Sequence, residues 1–349
     1  MIMRKSFLML GMAVAALTSC TQSEVLEIAE SRVIGFDSFV GKHTRTASKI
    51  EQTGQQSNDL NMFWVMGYAQ PDGSSVVSLF DKVACSHTGT GFTYENPKAW
   101  ALNTTYNFAA YSNGNNSLTD EQVSFAEVNG SYVLKFNDYK VDDEDLLAAI
   151  VPPFKTNDTG SDIPQTVALP FQHMLSCVRI TITNASDKLY LKFGDVTIKA
   201  IGEDNCTYKI DNNTKTCVWE NTTSAASAVS ATEKDYTFKA PTTNEGYVAP
   251  GSSFQDMLFF IPQSNNIEFE VDIETYEKNN NGEYIKRFDK KSTASLLIND
   301  DLHKVWQPGY QYNYAASVAG EVHYIRFSAT VDSWTPNEIP LNGASSAQN

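Results

Sequence analysis

One cysteine of this chain stands where its thiol invites acylation. Leu17-Thr18-Ser19-Cys20 closes an N-terminal stretch in which Arg4 and Lys5 form a positive segment and Phe7 to Leu17 an almost unbroken apolar run. Residues 1–19 have the layout of a secretory signal peptide, and the apolar run is too short for a permanent membrane span. The last four residues fit a bacterial lipobox, in which Cys20 becomes the new N-terminus and its thiol carries lipid. An ordinary cleaved signal with a chance cysteine is the alternative. Either reading puts the protein outside the cytoplasm.

Four further cysteines follow: Cys85, Cys177, Cys206 and Cys217. An exported chain keeps disulfides. Cys206 and Cys217 flank the turn-like Asp211-Asn212-Asn213, and a hairpin closed there sets the two cysteines opposite each other. They are a candidate disulfide, with two free thiols on neighbouring strands as the other reading. No Cys-x-x-Cys is present, so neither a zinc ribbon nor a dithiol redox motif is indicated.

Catalytic patterns are missing. The sequence has no Gly-x-Ser-x-Gly elbow, His-Glu-x-x-His, phosphate loop or Gly-rich dinucleotide turn. His43, His87, His173, His303 and His323 show no metal-ligand spacing, and no cofactor is expected. His173, between Phe171 and Leu175, reads as a structural strand residue. Asp142-Asp143-Glu144-Asp145 reads as a solvated helix start, where acids complement the dipole. Trp64, Trp100, Trp219, Trp306 and Trp334 are scattered, and core packing is favoured over a sugar-stacking platform. Nothing marks the chain as an enzyme, although sequence alone leaves a glycosidase carboxylate pair open.

The net charge is −15. Removing residues 1–19, which hold Arg4 and Lys5 and no acids, makes it −17. So acidic a chain lacks the basic surface that displaces counterions from a nucleic-acid backbone, and no nucleic-acid partner is expected.

The elements that must position these groups read as strands. Ile267-Glu-Phe269-Glu-Val271-Asp-Ile273-Glu274 alternates apolar and acidic residues as a half-buried strand requires. Asn281-Gly282 then marks a hairpin into Tyr284-Ile285-Lys286-Arg287-Phe288. Val178 to Ile182, Val196 to Ala200 and Ile325 to Val331 alternate likewise. One short helix is expected over Asp142–Ile150, stopping before Pro152-Pro153. Many short strands between Asn-, Gly- and Ser-rich turns imply two β-sandwiches, with Thr156 to Ile163 as the boundary between them.

Several landmarks in order resemble the fimbrillins, the type V pilin superfamily that includes the Mfa-like proteins. Arg32-Val-Ile-Gly-Phe-Asp-Ser-Phe-Val40 and then Thr44-Arg45-Thr46 resemble the family's first strand and its protease site, with Thr46 where Ala is commoner. Phe63 to Tyr68, Pro97 to Trp100 and Tyr106 to Tyr111 look like its N-terminal domain. Leu169 to Leu175, Met257 to Gln263, Trp306 to Tyr312 and Ile325 to Trp334 look like its C-terminal domain.

The resemblance implies an all-β fold of two tandem transthyretin-like sandwiches. It divides the chain into signal peptide (1–19), propeptide strand (20–45), N-terminal domain (46–163) and C-terminal domain (164–349). It further implies an outer-membrane precursor, tethered by lipid on Cys20, that a trypsin-like maturation protease cuts between Arg45 and Thr46. Arg32 is the competing cleavage position. Other pilin subunits are then the partners, and a host or bacterial surface ligand is a further one. The donor strand would carry Ile325, Phe327, Ala329 and Val331, which could equally form an ordinary last strand. A stalk subunit is favoured over a tip. The reading from another class is a monomeric surface lipoprotein that binds glycan or a host ligand.

Overall fold

The computed structural model describes residues 28–39, 60–89, 91–114, 116–211, 214–220, 232–264, 267–287, 292–298, 305–319 and 324–333. The first strands are β1 (Ile28–Val33), β2 (Phe36–Phe39), β3 (Met62–Pro71), β4 (Val77–His87), β5 (Phe92–Thr93), β6 (Ala99–Ala101), β7 (Thr104–Asn113), β8 (Val123–Val128), β9 (Ser131–Lys140) and β10 (Leu146–Lys155). Next come β11 (Val167–Pro170), β12 (Gln172–His173), β13 (Ser176–Asn184), β14 (Leu189–Phe193), β15 (Val196–Asp211), β16 (Thr214–Trp219), β17 (Thr232–Phe238) and β18 (Tyr247–Val248). The last are β19 (Ser253–Phe260), β20 (Gln263–Ser264), β21 (Ile267–Lys278), β22 (Tyr284–Lys286), β23 (Ser292–Ile298), β24 (Val305–Trp306), β25 (Tyr310–Ala319) and β26 (Tyr324–Ser333). The described residues hold no α-helix, only short 3₁₀ structure such as the turn Thr243–Gly246. The fold is all-β, as expected.

A six-stranded sheet runs β12-β10-β7-β3-β4-β5, and a second runs β16-β15-β9-β8 with β17 also on β15. The C-terminal half adds β19-β13-β25-β26 and β18-β14-β21-β22, with β23 on β21. Pairing is mostly antiparallel; β13 with β25 and β2 with β11 are parallel. β15 also pairs with β9, for example Tyr208 opposite Leu134, so one sheet draws strands from both sides of residue 163.

The β10, β7 and β3 strands of the six-stranded sheet are buried on both faces. Along β10, Leu146, Ala148 and Ile150 enter one apolar core while Leu147 and Ala149 enter another. β7 and β3 divide the same way: Ala109, Tyr111, Trp64 and Met66 lie on the first side, and Phe108, Ala110, Phe63 and Val65 on the second. The first core continues into the C-terminal half. Among the described residues, the second draws only on those between Ile34 and Phe171.

This corrects the expected helix over Asp142–Ile150. A strand covered on both faces reads as a continuous apolar run and loses the alternation that identifies a half-exposed one. Pro152-Pro153 does not end a helix either. It falls where the β10–β7 register shifts between Val151 and Phe154, an irregularity that tolerates residues without an N–H. Nor is the acidic run a solvated helix start. Asp145 is fully buried and hydrogen-bonds the buried His173 ring, which joins the start of β10 to β12. The Asn281-Gly282 turn is found as expected, with Gly282 at φ +86° between β21 and β22.

Candidate assembly site

The second core is roofed by β1 and β2, a strap upstream of Arg45. Ile34 and Phe36 alternate with the outward-facing Val33 and Asp37, as a strand on a core requires. Ile34 is 0% exposed and Phe36 is 4%. The Phe36 ring packs edge-on against Phe80 and Phe108 at 5.2 and 5.8 Å and lies 5.7 Å from Tyr94. Gly67 opposite Phe108 makes room for this cluster, because a Cβ there would meet the Phe108 ring at 2.7 Å. Burying Ile34 and Phe36 contributes about 3–6 kcal/mol at the usual value of ~1.5–3 kcal/mol per large apolar side chain.

Backbone pairing holds the strap along its length. β1 lies antiparallel to β6, with Val33 opposite Ala99. β2 lies parallel to β11, from Phe36 opposite Val167 to Phe39 opposite Pro170. The Ile34 N–H donates to Lys98 O at 2.7 Å, and Val167 N–H to Gly35 O at 2.8 Å. The Tyr94 hydroxyl donates to Ile34 O at 2.7 Å. Burial raises the pKa of that phenol and pushes the Cys85 thiol in the same core up to about 12. Arg32, the competing cleavage position, lies within β1.

The C-terminal strand occupies a different place. β26 is the edge of its sheet and pairs with β25 over ten residue pairs. Ile325, Phe327, Ala329 and Val331 stand opposite Val318, Ala316, Tyr314 and Tyr312. Those four β25 residues are buried. Cys20, Arg45 and Thr46 lie outside the described residues, as do the signal peptide and Trp334.

Cys206 and Cys217 are not directly opposite, which corrects the expectation. Cys206 faces Trp219, and Cys217 faces Tyr208. The hairpin register is therefore offset by one diagonal step, and the two free thiols lie with sulfurs 3.5 Å apart. Trp64, Trp100, Trp219 and Trp306 are all buried in the cores. No group of three or more His, Cys, Asp or Glu converges on a metal position among the described residues. No helix among them is long and apolar enough to cross a membrane.

Sequence reasoning missed two arrangements, the Asp145–His173 pair and a tyrosine cluster on the outer face of β14, β18, β21 and β22. The second had a signal, since Tyr190-Leu-Lys192, Tyr276-Glu-Lys278 and Tyr284-Ile-Lys286 repeat one Tyr-x-Lys spacing.

The described chain is thus an all-β protein with two cores, one of them roofed by the strap of β1 and β2. The Fimbrillin-like family profile matches residues 44–334, and the chain belongs to that family. A fimbrial protein from Bacteroides vulgatus shares 16% identity at a TM-score of 0.53, over 87% of this chain and 100% of that one. The fimbrial anchor protein Mfa2 from Porphyromonas gingivalis shares 11% identity at a TM-score of 0.31, over 87% of this chain and 98% of that one. No curated protein sequence matches the chain.

Proposed function

We propose that this protein is a structural subunit of a cell-surface fimbria. It is exported as a lipoprotein precursor acylated on Cys20, cut between Arg45 and Thr46 by a trypsin-like protease at the outer membrane, and polymerised by β-strand exchange in support of adhesion. The observation that carries this reading is the strap. The Ile34 and Phe36 side chains that close the second core lie in a segment that a cut after Arg45 detaches from the chain.

Losing the strap uncovers apolar pockets together with the unpaired backbones of β6 and β11, and both favour docking of another strand. The C-terminal strand has the matching pattern. Ile325-Arg326-Phe327 reproduces the Ile-x-Phe spacing of Ile34-Gly35-Phe36, so the pair that leaves and the pair that arrives are chemically alike. In the precursor β26 instead completes its own sheet on β25. Transfer to a neighbour exchanges one ladder for another, and the filled pockets supply the net gain.

The test is polymer formation at the cell surface. Arg45→Ala should leave lipidated precursor monomers, and Phe327→Asp should permit cutting but block elongation. SDS-resistant ladders in both variants would contradict the reading. Oxidation of Cys206 and Cys217 to a disulfide, with two electrons and two protons passing to a disulfide-bearing oxidant of the export compartment, is part of the same proposal. Alkylating the unreduced, unfolded protein should then label Cys85 and Cys177 alone.

A further inference from the structure

Four tyrosines gather on the outward face of the β18-β14-β21-β22 sheet, away from both cores. Leu191, Phe193, Val271 and Ile273 point inward from these strands, which turns Tyr190, Lys192, Tyr276 and Lys278 outward. The Tyr247 and Tyr284 rings stack with centroids 3.7 Å apart and planes 12° from parallel. Tyr276 meets Tyr247 edge-on at 4.9 Å, and Tyr190 meets Tyr284 edge-on at 5.1 Å. All four rings are half-buried.

The charges around them are arranged unequally. Lys286 is neutralised by Glu274 at 2.7 Å, and Glu274 also accepts from the Tyr276 hydroxyl at 2.7 Å. Lys192 and Lys278 make no ion pair among the described residues. Each ammonium instead lies over a tyrosine, Lys192 5.3 Å from the Tyr247 centroid and Lys278 5.0 Å from that of Tyr284. On a chain of net charge −15, two ammoniums thus stand over aromatic rings without an ion pair among the described residues, with the Glu245 and Glu274 carboxylates also near Tyr247.

We infer that this face is a binding site for an acidic glycan, one bearing uronic or sialic acid residues. A pyranose offers an apolar C–H face that stacks on a phenol ring, hydroxyls for the tyrosine and lysine donors, and a carboxylate for the two unneutralised ammoniums. The described outward side chains of the face are aromatic and charged, and none of those described is an aliphatic group of the kind that fills the centre of a protein–protein interface. The four described tryptophans, buried in the cores, leave this role to tyrosine. The site does not depend on strand exchange and fails or stands separately from it.

Binding is measured by calorimetry on the purified protein, with hexagalacturonate and sialyllactose as acidic probes and cellohexaose as the neutral one. At least one acidic probe should bind, and more weakly in high salt. Tyr247→Ala and Tyr284→Ala should each weaken it about tenfold or more, the equivalent of ~1.4 kcal/mol. Tyr284→Phe, which keeps the ring, should retain binding within about threefold. Lys192→Gln with Lys278→Gln should remove most of the salt dependence. An unchanged thermal transition in these variants keeps the loss local. The inference is overturned if neither acidic probe binds, if cellohexaose binds equally well, or if the alanine variants bind normally. It is equally overturned if hydrogen exchange shows the face protected only against another protein subunit.

Discussion

The two cores of this protein share the six-stranded sheet and differ in what closes them. The first is sealed by strands from across the chain, with the Phe260 ring 4.2 Å from Tyr236 and 4.6 Å from Trp306. The second is sealed by Ile34 and Phe36 from a strap that a single backbone cut separates from the body. Under the proposed cut after Arg45, one core is permanent. Under the same proposal the other is complete only before the cut, which would make it the part of the fold that stores a drive for association.

The largest effect that tests this contrast is on assembly. Arg45→Ala should abolish polymers outright while leaving a folded precursor, read as the loss of SDS-resistant ladders at unchanged surface level. If polymers persist, the strap is not the gate.

Next come the core substitutions. Phe36→Ala should destabilise the precursor by roughly 3–5 kcal/mol in urea unfolding, as expected for truncating a buried aromatic. It should leave the cut subunit unaffected. Phe260→Ala in the permanent core should cost a similar amount in both forms. Equal behaviour of the two variants after cutting would erase the distinction.

Thiol accessibility sharpens the same comparison at lower cost to the molecule. Cys85 is buried in the strapped core and Cys177 in the permanent one. Trimming after Arg45 should expose Cys85 to alkylation and leave Cys177 protected. Both should be protected in the precursor. Labelling of both or of neither after the cut would contradict the contrast.

A smaller effect concerns the link between β10 and β12. Removing Asp145 leaves His173 buried without its carboxylate partner, and Asp145→Ala should cost about 3 kcal/mol or more. Burial raises the Asp145 pKa above its ordinary 3.8, against the opposing pull of His173. The folded state then holds this proton more tightly than the unfolded chain. Its contribution is full below pH 3.8 and declines as pH rises through the higher folded value. Denaturation midpoints measured across that interval should show the slope in the native protein and lose it in Asp145→Ala.

Much of this architecture was legible in the residues. Ile267 to Ile273 announced a strand because one of its faces is apolar and the other acidic, and Asn281-Gly282 announced its turn. Leu146 to Ile150 misled because both faces are buried, so the alternation that separates strand from helix vanishes. The strap was legible as a strand only through family likeness. Its place over the second core depends on parallel pairing with β11, some 130 residues away, which no local pattern encodes. The tyrosine face was written as Tyr-x-Lys on three strands, but its meaning needs the β14–β21 and β21–β22 registers that align them.

The central claim is that the strap is temporary, and the N-terminal residue of protein extracted from assembled surface fibres tests it most directly. The account predicts Thr46, with residues 20–45 gone. Fibre subunits that begin at acylated Cys20, with the strap still attached, would contradict it.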